Sequence, residues 1–180
     1  MKKKTFNIAL CGLISALGVV IMMITAIIPT TTYAMPAMAS LLLTVIVIET
    51  DKKWALASYF VVSVLSLLLV PDKESVAFYI FFFGYYPIYK QIIESKIKHL
   101  WLQWLLKILV FSISAIIIYF IAILILGVPA DEFTVFGINV PLLFLIAGIA
   151  VFIIFDRAMT RVIVAYVIKL RKKLFGKLTK

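Results

Sequence analysis

Long apolar runs separated by short polar turns dominate the chain. The breaks carry the signals that stop helices: Pro29, the charged turn from Glu49 to Lys53, Pro71, and Gly127-Val128-Pro129. On this pattern six spans are expected, at approximately 6–28, 34–50, 54–70, 75–90, 102–126 and 136–156. A basic amphipathic tail over 157–180 follows them. The predicted architecture is therefore all-α, a single integral membrane bundle with no room for a separate soluble domain. Lys2, Lys3 and Lys4 before the first run, and Ala37-Met38-Ala39 after it, imitate a signal peptide. The run from Phe6 to Ile28 is longer than the roughly 7–15 apolar residues of such a segment, so it is read as a retained first helix.

The fourth run departs from ordinary lipid-facing wall. Between Phe78 and Tyr89 it carries eight aromatics, interrupted by Gly84 and Pro87. Helical spacing puts Ser75, Tyr79, Phe82, Phe83, Tyr86 and Lys90 on one face. That face is either an aromatic packing seam or one wall of a ligand pocket, since Gly and Pro let a membrane helix bend around a cavity. The pocket reading expects Tyr79 and Tyr86 to present their rings to a cavity opening outward.

Composition narrows the class. The chain is 65% hydrophobic and 14% charged, with mean hydropathy +1.19, as in membrane proteins. The net charge of +10 is explained by its placement. With six spans and both termini cytoplasmic, all but one of the 18 lysines and arginines fall on or near the inner side, Lys73 being the exception. Orientation accounts for that bias, with anionic lipid contact at most, and nucleic acid is not needed as a partner. Cys11 is the one cysteine, so no disulfide within the chain is open to it. His99 has no second metal ligand nearby and reads as an interfacial residue. Lys107, two turns into an apolar run, is expected to snorkel inward or to pair with Glu94 or Asp156. Asp156, Arg157 and Arg161 are read as the point where the last span leaves the hydrocarbon. Nucleotide-binding, zincin and serine-hydrolase motifs are missing, as is any clustered nucleophile or acid–base pair, so no enzyme is expected.

The opening Ile8-Ala-Leu-Cys-Gly-Leu-Ile-Ser-Ala-Leu-Gly resembles the first helix of the substrate-binding S components of energy-coupling factor (ECF) transporters. That family's Ala-x-x-x-Ala motif falls on Gly12 and Ala16, Gly replacing the first Ala and keeping the steric logic. Size, six spans and inner termini resemble the family across the whole chain. The resemblance implies a bacterial cytoplasmic-membrane protein, multi-pass, that captures a vitamin or similar small molecule from outside. It implies docking, through Gly12 and Ala16, on a transmembrane T subunit with two cytosolic ATPases. ATP would be used by those partners, and this chain would need no cofactor. The family's pocket lies in the outer halves of the later helices, under the loop between the first two. Carried over by depth, this points to Tyr33, Asp72, Lys73, Tyr79, Tyr119 and Asn139, with Tyr85 and Tyr86 as a deeper floor. Asp72 and Lys73 also read as a plain solvated turn. The alternative function is a small membrane scaffold that binds other membrane proteins and no small molecule.

Overall fold

The computed structural model describes residues 2–125, 127, 134–135, 138–139 and 141–170. It is a helical bundle: α1 (Lys2–Met23), α2 (Ala34–Glu49), α3 (Lys52–Leu69), α4 (Lys73–Phe78), α5 (Tyr86–Lys96), α6 (Leu100–Leu124) and α7 (Pro141–Ala165). Two residues each of β1 (Thr134–Val135) and β2 (Ile138–Asn139) pair antiparallel before α7. Among the described residues, three helices are long and apolar enough to cross a membrane: Lys4–Ala26, Lys52–Leu69 and Leu100–Leu124. Their outward faces are apolar, with Leu13 and Leu17 on α1, Phe60 and Leu68 on α3, and Leu109 and Phe120 on α6 all exposed.

The segment between Lys73 and Lys96 is not one helix but three pieces in series. A π-helical turn over Tyr79–Phe83 joins α4 to α5, closed by the Gly84 N–H donating to Tyr79 O at 2.7 Å. Two residues cause it. Pro87 has no N–H to return to the carbonyl four residues earlier, so the regular ladder cannot run through. Gly84 admits a close neighbour: a Cβ there would meet the Tyr59 ring at 2.6 and 2.7 Å and Tyr79 O at 2.8 Å. The Tyr59 hydroxyl in turn donates to Ile80 O at 2.8 Å, serving a carbonyl inside the widened turn.

This broken helix runs through the middle of the bundle and touches each of three apolar clusters among the described residues. Ile88 joins Cys11, Ile14, Leu43, Ile46, Val47 and Ala55; Val76 and Tyr79 join Val19, Met22, Ala39, Val62 and Val70; Phe82 and Tyr86 join Ile118, Phe152 and Met159. Of the residues expected on one face, Ser75, Tyr79, Phe82, Tyr86 and Lys90 are buried and Phe83 is partly buried.

Two helix limits differ from expectation. The charged stretch after Lys90 continues as helix to Lys96. The last span, expected over 136–156, starts at Pro141 and passes through Asp156 to Ala165, followed by a π-helical Tyr166–Leu170. Asp156 does not mark an exit: it is 2% exposed and turned into the bundle, whereas Arg157 and Arg161 on the same turns are exposed. The tail over 171–180 lies outside the described residues.

Gly84→Ala is expected to lower stability by about 1–3 kcal/mol through this overpacking. Gly12→Ala, where a Cβ meets nothing within 4 Å, should leave the melting temperature level or slightly raised. Thermal unfolding of the two variants in the same detergent checks the contrast.

Candidate functional site

The loop before α2 and the turn before α4 are tied together. Thr32 Oγ1 donates to Asp72 Oδ2 at 3.0 Å, and the Tyr33 hydroxyl donates to Glu74 Oε1 at 2.9 Å. The Tyr33 ring also meets Phe78 edge-on, with centroids 4.9 Å apart. Asp72 is the N-cap of α4, its Oδ1 accepting from Ser75 N at 3.1 Å. Lys73 turns back to α3 and donates to Leu67 O and Val70 O at 2.8 and 2.9 Å, satisfying carbonyls at that helix's end. Asp72 and Lys73 thus cap and join helices, Lys73 remaining exposed.

The tyrosines of the broken helix part company. Tyr79 and Tyr86 are 1% and 0% exposed and sit in filled packing, which corrects the expectation that they face a cavity. Phe82 lies 5.2 Å from the Tyr86 ring, and Phe152 packs on Phe82, Tyr86 and Phe111 at 5.5, 5.4 and 4.9 Å. Tyr86 meets α7 aromatics and Tyr79 meets side chains of α1, α2 and α3, and no local spacing reveals the approach of either set. Tyr85, one position on, faces a different way, donating to Ser114 on α6. Tyr119 is partly buried on α6, its ring 5.8 Å from Phe120. Asn139 belongs to β2, and its side chain lies outside the described residues. Gly12 and Ala16 are exposed on α1, opposite the buried face of Asn7, Cys11, Ile14, Ser15, Val19 and Met22. On the buried face of α1, Gly18 lies beside Val62, where an added Cβ would make ordinary van der Waals contact at 3.4 Å.

Below the aromatic layer lies a group of charges that the expected site residues did not include. Asp156 Oδ1 accepts from the Tyr86 hydroxyl and from Lys90 Nζ, both at 2.5 Å, and from Lys107 Nζ at 3.2 Å. Glu94 Oε1 bridges the same two lysines at 2.8 and 2.6 Å. Lys107 therefore pairs with both carboxylates that the sequence pointed to. Two cations and two carboxylates make a neutral set, and only Glu94 reaches the surface, its side chain 38% exposed against 3% or less for the other three. The Trp104 ring covers the edge, with Lys107 Nζ 5.3 Å and Arg157 Cζ 5.5 Å from its centroid. The signal for this set was present in the chain: four ionisable residues at positions that apolar helices carry inward are functional or structural by default.

On the side of the broken helix away from Tyr79 and Tyr86, a groove of about 440 Å³ opens between α3, the π turn and α6. Tyr59, Phe81, Tyr85, Tyr89, Ile113 and Ser114 are among its walls. Among the described residues no group of three His, Cys, Asp or Glu could hold a metal ion. In comparisons with known proteins, the chain matches no family model, no curated protein and no solved structure.

Removing one member of the charged set should be costly and removing an opposed pair less so. Asp156→Asn or Lys107→Met alone is expected to destabilise by about 3–5 kcal/mol, leaving a buried charge uncompensated. The double variant should recover about 1–3 kcal/mol relative to the sum of the singles. A double-mutant cycle on unfolding in detergent measures this directly, and additivity would mean the two groups are uncoupled.

Proposed function

We propose that this chain is the substrate-capture subunit of an ATP-driven importer of the ECF type. In this reading it crosses the bacterial cytoplasmic membrane six times with both termini inside, takes a small molecule from outside, and docks on a T subunit carrying two ATPases. One observation carries the proposal: Gly12 and Ala16 form a shallow strip on the outward face of α1, with nothing of the chain's own against Gly12. Missing side-chain volume helps a membrane helix only where another helix comes close, and α1 packs on its own bundle with the opposite face, through Cys11, Ile14, Val19 and Met22. The one-sided distribution of lysine and arginine supports the orientation. The joined Thr32–Asp72 and Tyr33–Glu74 loops then lie at the outer end, over the bundle.

A second reading has its own support. The filled seam around Tyr79 and Tyr86 favours a scaffold that binds other membrane proteins and no small molecule.

Purification of the tagged chain from its own membranes separates the two. A capture subunit should bring down one membrane protein together with two ATP-binding proteins. Gly12→Leu with Ala16→Leu should lose all three while melting as the parent does. A complex without ATP-binding proteins, or one that survives the double substitution, contradicts the proposal. The orientation is checked in intact cells on a Cys11→Ser background. An impermeant maleimide should label Thr30→Cys at once and Lys98→Cys only after permeabilisation.

A further inference from the structure

The groove beside the π turn has a hydrogen-bonding character that its residue names alone do not reveal. Three tyrosines line it, and each has already committed its hydroxyl proton. Tyr59 donates to Ile80 O at 2.8 Å, and Tyr89 donates to Leu106 O at 3.1 Å. Tyr85 and Ser114 share a 2.8 Å contact in which either oxygen could donate. Ser114, however, gives its only proton to Val110 O at 2.8 Å, so Tyr85 is the donor. What the three phenols can still offer is oxygen lone pairs and ring faces. The other walls, Ile80, Phe81, Val110, Ile113 and Ile117, add apolar surface and one more ring, and among the described residues no charged side chain lines the groove.

Such a surface complements a donor and repels an acceptor. A carboxylate entering it would leave water and find no N–H or O–H to receive it, at a cost of several kcal/mol. An amine finds lone pairs at hydrogen-bond range and electron-rich ring faces for its charge. A flat ring finds aromatic walls to stack on. The volume of about 440 Å³ lies in the range of small-molecule sites, roughly 300–1,000 Å³. The site is made by the broken helix itself, because the π turn and Gly84 set the Tyr59, Phe81 and Tyr85 rings around one opening.

We propose that this groove binds a small, ring-bearing amine and discriminates against the corresponding carboxylate. The inference deepens the capture-subunit reading by naming its substrate class, and rests on that reading for the transport step alone.

Tryptamine and indole-3-acetate share a ring and differ in the sign of the attached group, which makes them suitable probes. Equilibrium dialysis of each labelled compound against the purified chain in lipid nanodiscs, with empty nanodiscs subtracted, measures binding without any partner protein. Tryptamine should saturate at one site per chain and bind at least tenfold more tightly than indole-3-acetate. Ile113→Trp fills the groove from α6 at a position that is 50% exposed, and should weaken tryptamine at least tenfold. Ile117→Trp, one turn further and 40% exposed, provides the same block should the first variant fail to fold. Equal binding of the two probes would make the groove a general apolar surface, occupied by lipid chains, and overturn the proposal. So would the lack of saturable tryptamine binding up to millimolar concentration, or unchanged binding in a folded tryptophan variant. Loss of the ATP-binding partners on Gly12→Leu with Ala16→Leu is read in a separate experiment, so either reading can fail while the other stands.

Discussion

Asp156 holds the second half of this molecule together. Its carboxylate takes a tyrosine hydroxyl and a lysine from α5 and a second lysine from α6, while itself belonging to α7. Helices in lipid gain little from apolar contact with one another, because the solvent is as apolar as their side chains. A buried, charge-balanced set supplies what apolar packing cannot: a definite partner and a definite register for each helix. Each lysine alone would be expensive at that depth, and each carboxylate likewise; together with Glu94 they form a neutral unit. Glu94 makes the set lopsided, open at one edge and closed by aromatics at the other.

From that anchor the broken helix follows. Lys90 and Tyr86 fix the start of α5 against α7, and Asp72 caps α4 at the other end. Between them the chain must accommodate Pro87 and the Tyr59 ring over Gly84, and the π turn is the backbone conformation that does so. The turn has two sides with different uses. Its inner side packs Tyr79, Phe82 and Tyr86 into the core, and its outer side spreads Phe81 and Tyr85 around the groove.

Much of the fold was legible from periodicity. Ser75, Tyr79, Phe82, Tyr86 and Lys90 are buried as their spacing implied, with Phe83 partly so, and the partners of Lys107 could be named because few carboxylates lie within its reach. What faces that buried side was not legible. Phe111 and Phe152 reach Phe82 from 29 and 70 positions away along the chain, and a spacing argument within one helix has no knowledge of them. The continuation of α7 past Asp156 was hidden for a related reason: a charge in an apolar run looks like a boundary until its partners are known. The groove's chemistry was equally hidden, because the direction in which Tyr85 donates depends on Val110 O, through Ser114. Gly12 and Ala16 are both exposed on α1.

Whether the chain captures a small molecule is tested most directly by native mass spectrometry of the protein released from its own membranes. One non-lipid molecule should be retained per chain, of a mass and composition that fit a ring with an amine. A bare chain, or one carrying lipid alone, would contradict it and leave the packed tyrosine core as the interior of a scaffold.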